Sequence, residues 1–166
     1  IPQGAVGRDI TKQLELFCKE PDIIDVNEGA HLTPIPVEEG LSSMSAILLD
    51  ENYYNYTLEH SEVKEGVHYA TPQTIICLKA FAFLNNIERK AAGQNVRTVD
   101  IKKHKNDVFR MVMMLTENDR FDLPDSIKAD MQKFVETLKN DLPSADTLAS
   151  NGFGNQDMNQ IFNKLI

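Results

Sequence analysis

Read for the spacing of its apolar positions, the chain changes character near residue 70. Before that point short apolar runs alternate with turn-forming residues, as strands do; beyond it apolar residues recur every three or four positions, as on one face of a helix. Gln13 to Cys18 (QLELFC) predicts a strand, stopped by Lys19-Glu20-Pro21-Asp22. His31 to Val37 alternates through Thr33, Ile35 and Val37, but Pro34 and Pro36 confine it to a sheet edge or an extended loop, since proline has no N–H to give a ladder. Ser43 to Leu49 ends in a continuous apolar run and predicts a more central strand. Asp50-Glu51-Asn52 predicts a helix start ahead of Tyr53, Tyr54, Tyr56 and Leu58, and Val63 to Ala70 predicts a further strand with Gly66 as a bulge or turn.

In the second half, Thr71-Pro72 supplies an N-cap and a proline at the first helical position. The helix that follows, through Ile75, Ile76, Leu78, Ala80, Phe81, Ala82, Phe83 and Leu84, is apolar almost all round and so is expected to be buried on several sides. Gly93 and the polar stretch to Thr98 predict a loop, and Val99 to Thr116 a second helix, charged first and apolar later. After Leu123-Pro124, a third helix places Ile127, Met131, Phe134, Val135 and Leu138 on one stripe. A polar linker with Gly152 and Gly154 leads to a last helix over about Gln156 to Ile166. The expected organisation is therefore a strand-rich region, 1–70, and a helical domain, 71–166. The missing initiator Met and a stripe through Met158, Ile161, Phe162 and Leu165 that runs to the last residues predict a piece of a longer protein.

Composition narrows the class without naming a function. At 166 residues with 42% hydrophobic and 25% charged residues, the chain matches a globular domain able to bury a core. Cys18 and Cys77 lie far apart in apolar stretches, with no C-x-x-C, and are expected to be reduced and buried. No apolar run is long enough to span a bilayer, and IPQGAVGRD has no signal-peptide pattern, so the expectation is a cytoplasmic protein with no membrane partner. The net charge of −8 argues against a surface that is basic overall. That charge is uneven. Arg89 to Arg110 holds seven cations (Arg89, Lys90, Arg97, Lys102, Lys103, Lys105, Arg110) against Asp100 and Asp107, a local +5, while Lys19 to Glu65 holds two lysines against eleven acids, a local −9.

Three features carry candidate chemistry. Lys79 is a lone cation inside TIICLKAFAFL; its stem either snorkels to the helix edge or its ammonium faces a phosphate or an internal carboxylate. The Arg89–Arg110 run is either a solvated helix face or an anion-binding face for a nucleotide triphosphate or an RNA backbone. Glu15, inside an apolar strand pattern, points either to solvent or into a cleft as a metal-binding or acid–base carboxylate. Asp107 stands at the polar-to-apolar change of its helix, where the plain expectation is a salt bridge to neighbouring lysines. His31, His60, His68 and His104 are scattered and no H-E-x-x-H, nucleophile elbow or P-loop occurs. The residue patterns by themselves stop at an α+β domain with a basic helix face.

Three strings taken in order and spacing go further: GLSSMSAILLDENYY (Gly40 to Tyr54), TPQTIICLKAFAFLNNIERKAAG (Thr71 to Gly93) and DIKKHKNDVFRMVMML (Asp100 to Leu115). Together they resemble the C-terminal part of nucleotidyltransferase-fold proteins of the AbiEii/AbiGii toxin-like class, over about Leu14 to Leu115. The resemblance implies an α+β fold, the remainder of a nucleotidyltransferase-type mixed sheet followed by a helical domain. It implies Mg²⁺ as cofactor, held with the triphosphate by a Gly-Ser turn and an Asp-x-Asp/Glu pair, and a third carboxylate from a later strand. Neither Gly-Ser nor Asp-x-Asp occurs in the chain.

Carried over by residue, Glu15 matches the third carboxylate and so a metal ligand. Lys79 resembles the phosphate-reaching lysine of the first helix after the sheet, and Asp107 the Asp of an Arg-Asp pair ahead of an aromatic-rich helix. Asn106 stands where the usual Arg would be, and Arg110 where a second Asp is frequent. Arg89, Lys102, Lys103 and Lys105 are the expected contacts to phosphate or RNA. The implied activity is transfer of a nucleotide monophosphate from an NTP to a hydroxyl acceptor, tRNA among the acceptors considered. The alternative is a non-catalytic helical interaction domain docking a partner protein such as an antitoxin.

Overall fold

In the computed structural model, residues 13–19, 32–34, 43–116, 118–149 and 156–166 are described, with only the backbone described at 13–15, 32–34, 43–48 and 147–148. The element order is β1 (Gln13–Lys19), β2 (Leu32–Pro34), β3 (Ser43–Leu49), α1 (Glu51–Glu59), β4 (Ser61–Lys64), β5 (Val67–Ala70), α2 (Pro72–Ala91), α3 (Thr98–Val112), α4 (Asp125–Leu138), α5 (Ala145–Leu148) and α6 (Met158–Asn163). The fold is mixed α+β. The chain divides into two compact units, Ile1–Tyr54 and Asn55–Ile166, the division falling within α1. The expected boundary at residue 70 differs from it by the end of α1 and by β4 and β5.

The first unit holds a mixed three-stranded sheet in the order β1-β3-β2. β1 runs parallel to β3 with Gln13 opposite Ser43 and Lys19 opposite Leu49, and β2 pairs antiparallel to β3. The apolar run expected to be central is the central strand. Proline-bearing β2 is an edge strand, where a missing N–H is tolerated. The rest of the expected His31–Val37 segment lies outside the described residues. Cys18, expected to be buried, is only half-buried. At the start of α1, the Asp50 carboxylate accepts from Tyr53 N–H (3.0 Å), an N-cap that satisfies one of the donors a helix start leaves unpaired.

The second unit is built on α2. Thr71 caps it as its spacing predicts, its hydroxyl accepting from Thr74 N–H, with Pro72 at the first turn. At the far end Gly93, at φ +83°, closes a Schellman turn: Gly93 N–H donates to Lys90 O (3.1 Å) and Gln94 N–H to Arg89 O (3.0 Å). α2 packs most extensively on α3 and then on α4. Ile76, Cys77, Ala80, Val108, Phe109, Val112, Ile127, Phe134 and Leu138 are fully buried, and Phe83 meets Phe134 edge to face at 5.3 Å between centroids. The stripe expected on the third helix, α4, is the face it buries, with Val135 at its half-buried margin.

Three expectations need correction. Val63–Ala70 is not one strand but the larger part of a hairpin, β4 antiparallel to β5, turned by Glu65 (φ 53°) and Gly66 (φ 80°). Two successive positive φ values make a turn whose twist matches that of the strands, which is why Gly66 reads as punctuation inside an otherwise strand-like run. α3 stops at Val112 rather than Thr116. Met114 and Leu115 bond three residues back, and the Leu115 carbonyl takes Lys164 Nζ (3.0 Å). The last helix is also shorter than expected, Met158–Asn163, capped by Asp157. The expected linker turn at Gly152–Gly154 lies outside the described residues.

Candidate functional site

Helical spacing puts Lys79 at the margin of α2's buried face. Its neighbours Ile76, Cys77, Leu78 and Ala80 are buried, whereas Ile75, Lys79, Ala82 and Asn86, one turn apart, are half-buried. On α3, Asp100, His104 and Asp107 follow one another at intervals of four and three, so they share a face, and all three are half-buried. The charge of Lys79 on α2 acts on His104 of this face. Burial first, and then the Lys79 ammonium, push the His104 pKa below its ordinary 6.5; Lys103 adds to this, and Asp107 and Asp100 oppose it. The ring is therefore neutral at pH 7. Its Nδ1 is buried with no hydrogen-bond partner, the only such side-chain atom among the described residues.

Both carboxylates on the α3 face are held by arginines of their own helix. Arg110 Nη1 donates to Asp107 at 2.5 Å, with both side chains mostly shielded. Arg97 grips Asp100 through two N–H groups (2.8 and 2.9 Å), which holds the Asp100 carboxyl below the usual range. The partner of Asp107 is thus an arginine one turn on, not a lysine.

The basic run resolves into separate jobs. Lys105 is buried, and its Nζ donates to Asp141 Oδ2 (2.7 Å) and Asp141 O (2.9 Å), joining α3 to the loop after α4. Arg89 donates to Gln94 (2.7 Å) and Lys90 to Thr98, so both work on the turn after α2. Lys102 and Lys103 are exposed on α3. Of the seven cations, five are engaged inside the protein and do not form one continuous face. Glu15 is placed in β1, opposite Ser45 of β3, in the first unit; its side chain is outside the described residues.

Sequence spacing thus named Lys79, Lys103 and Asp107, whose charges all act on the His104 ring, but missed His104 itself. The missed signal was the helical spacing of Asp100, His104 and Asp107. Asp141, the partner of Lys105, lies 36 residues away and had no local signal.

Among the described residues no three His, Cys, Asp or Glu side chains group as a metal site. Asp100 and Asp107 already serve arginines, so this face alone does not supply a Mg²⁺ donor set. Cys77 is no nucleophile: burial pushes its thiol up to about 12, and beside it the buried Tyr56 hydroxyl is also raised. No described helix is long and apolar enough to cross a membrane. Compared with models of known families, with characterised proteins and with solved structures, the chain finds no match.

Proposed function

We propose that this chain is the C-terminal part of a nucleotidyltransferase-like protein of the AbiEii/AbiGii toxin-like class, and that its α2–α3 face contacts the phosphates of an NTP. The complete form would use Mg²⁺ and transfer a nucleotide monophosphate to a hydroxyl acceptor, with RNA, tRNA included, in the acceptor class. The single observation that supports this is that Asp100, His104 and Asp107 share one face of α3, with the charges of Lys79 and Lys103 both acting on the His104 ring. Lysine on a rigid helix is a point charge suited to a phosphate oxygen. Asp107, paired to Arg110, orients that arginine on the same face. Lys102 and Lys103 add exposed charge that draws an anion in. No step is assigned to Glu15 beyond its place in β1.

The test is Mg²⁺-dependent ATP binding by calorimetry, on this chain and on a form extended upstream. Wild type binding that falls at least tenfold in Lys79→Ala, with the fold intact by circular dichroism, supports the reading. If the extended form carries no Gly-Ser/Asp-x-Asp segment and binds no NTP, the enzymatic reading falls.

A second reading has its own observation. Val63, Val67 and Tyr69 of the β4–β5 hairpin and the nearby Leu58 are exposed, which suits a non-catalytic domain that docks a partner protein such as an antitoxin. Reversing Lys102 and Lys103 to Glu separates the two: lost NTP or RNA binding favours the first reading, and unchanged binding the second. Lys105 is left out of that variant because reversal there would bury a charge opposite Asp141.

A further inference from the structure

Among the described residues no third strand adds to either edge of the β4–β5 hairpin, and neither strand buries a side chain. A free strand edge presents unpaired N–H and C=O groups, and a two-stranded ribbon is only marginally stable until further strands join it. The register fixes which groups those are. Lys64 stands opposite Val67 across a two-residue turn, Glu65-Gly66, with both turn residues at positive φ. The pair closing such a turn bonds inward, so antiparallel alternation commits Lys64 and Glu62 to β5. It leaves the N–H and C=O of Val63 and Ser61 on the outer edge of β4. That strand, Ser61-Glu62-Val63-Lys64, is its own complement. Laid antiparallel on a second copy with the two Val63 residues opposite each other, the valines exchange both backbone bonds, and Glu62 of each copy stands opposite Lys64 of the other. Those are the positions where opposed side chains lie closest. Sliding the strands by two residues in either direction still pairs the outward groups, but sets Glu62 against Glu62 or Lys64 against Lys64. Opposite charges favour a cross-strand pair and like charges oppose it, so the charges select one register.

We infer that the outer edge of β4 is an interface for a second copy of this chain, joining two hairpins into a four-stranded sheet, β5-β4-β4-β5, about a two-fold axis through the Val63 pair. The inference goes beyond both readings of the function and rests on neither. The apolar groups fall in with it: Val63, 59% exposed, meets its counterpart on one face, while Val67 and Tyr69 flank the Glu62 and Lys64 charges on the other. Four paired residues from each copy bury far less than a stable dimer needs, so the association is weak, reversible and seen at high protein concentration.

The experiment is sedimentation equilibrium of the 166-residue chain from micromolar to millimolar concentration, in wild type, Glu62→Lys, Lys64→Glu and an equimolar mixture of the two variants. Both side chains are exposed, and because Glu62→Lys gives up the bond from the Tyr69 hydroxyl, the β5 amide shifts confirm the hairpin in each variant by NMR. Wild type should form a concentration-dependent dimer. Each variant alone sets like charges opposite each other twice and should dimerise at least about tenfold more weakly. The mixture should recover the association, because the lysines of one copy then meet the glutamates of the other. In wild type, amide exchange at Val63 should slow as concentration rises, while Glu62 and Lys64, already bonded to β5, stay unchanged. A wild type that is monomeric at every concentration overturns the inference and leaves the hairpin to a different chain, as the second reading has it. A dimer that both single variants form as well as wild type overturns it too, since it then uses another surface, and so does a mixture no more associated than its components.

Discussion

The α2–α3 pair and the β4–β5 hairpin lie in the same unit, close in sequence, and are built on opposite terms. In the helix pair Ile76, Cys77, Ala80, Val108, Phe109 and Val112 are withdrawn from water, and Lys79, His104 and Asp107 sit at the margin of that packing. The hairpin buries none of its side chains. Val63 and Val67 are 59% and 65% exposed, and its hydrogen bonds, such as Tyr69 to Glu62 and Ser61 to Leu58 O, run within the hairpin or to the helix just before it. Two strands alone are only marginally stable in water. Polar groups meant to meet a ligand in one geometry need a rigid base, and only the helix pair supplies it.

The largest effect expected from breaking this contrast is at Phe109. Phe109→Ala removes a wholly buried ring between α2 and α3 and should cost about 3–5 kcal/mol in urea unfolding, whereas Val67→Thr in the hairpin should stay within about 0.5 kcal/mol. Equal losses at both sites would show that the hairpin carries packing after all. Next comes the tie between α3 and the loop after α4. Lys105→Met keeps the stem and drops the ammonium, and should cost about 1–2 kcal/mol, held to that because Asp141 is largely exposed and water replaces the lost donor.

Gly66→Ala tests the hairpin by itself. Nothing lies within 4 Å of the added Cβ, so its cost, about 1–2 kcal/mol of hairpin closure, comes only from the positive φ. Amide exchange should rise in β4 and β5 and stay unchanged in α2 and α3; exchange rising everywhere would mean that the hairpin and the helices open together.

The smallest effect is a pH dependence. His104 is held below its ordinary pKa in the fold, so the unfolded chain binds its proton more readily. Stability from this group is complete above pH 6.5 and is lost as the pH falls through the lowered value. The midpoint urea concentration should therefore drop on acidification, and His104→Gln should remove that component of the drop.

Some of this architecture was legible locally. The Thr71-Pro72 start of α2, the apolar stripe of α4 and the central place of β3 follow from capping, periodicity and burial, which a short window of residues reveals. The hairpin was half legible. Gly66 announced a break, but whether a bulge or a reversal depends on Glu65 also taking a positive φ, which a non-glycine residue does only when pairing across the turn supports it.

The charges were least legible. A run of seven cations reads as one basic face along the sequence, yet Lys105 leaves it for Asp141 and Arg97 and Arg110 turn to carboxylates one helical turn away. By itself the sequence determined where β1, β3, α1, α2 and α4 form and which residue types stand along α2 and α3, because spacing and capping act over a few residues. The tertiary structure decided which charges act on one another: packing α2 on α3 brings the charge of Lys79 into the field of His104, which its own helix neighbours Asp100, Lys103 and Asp107 only partly set.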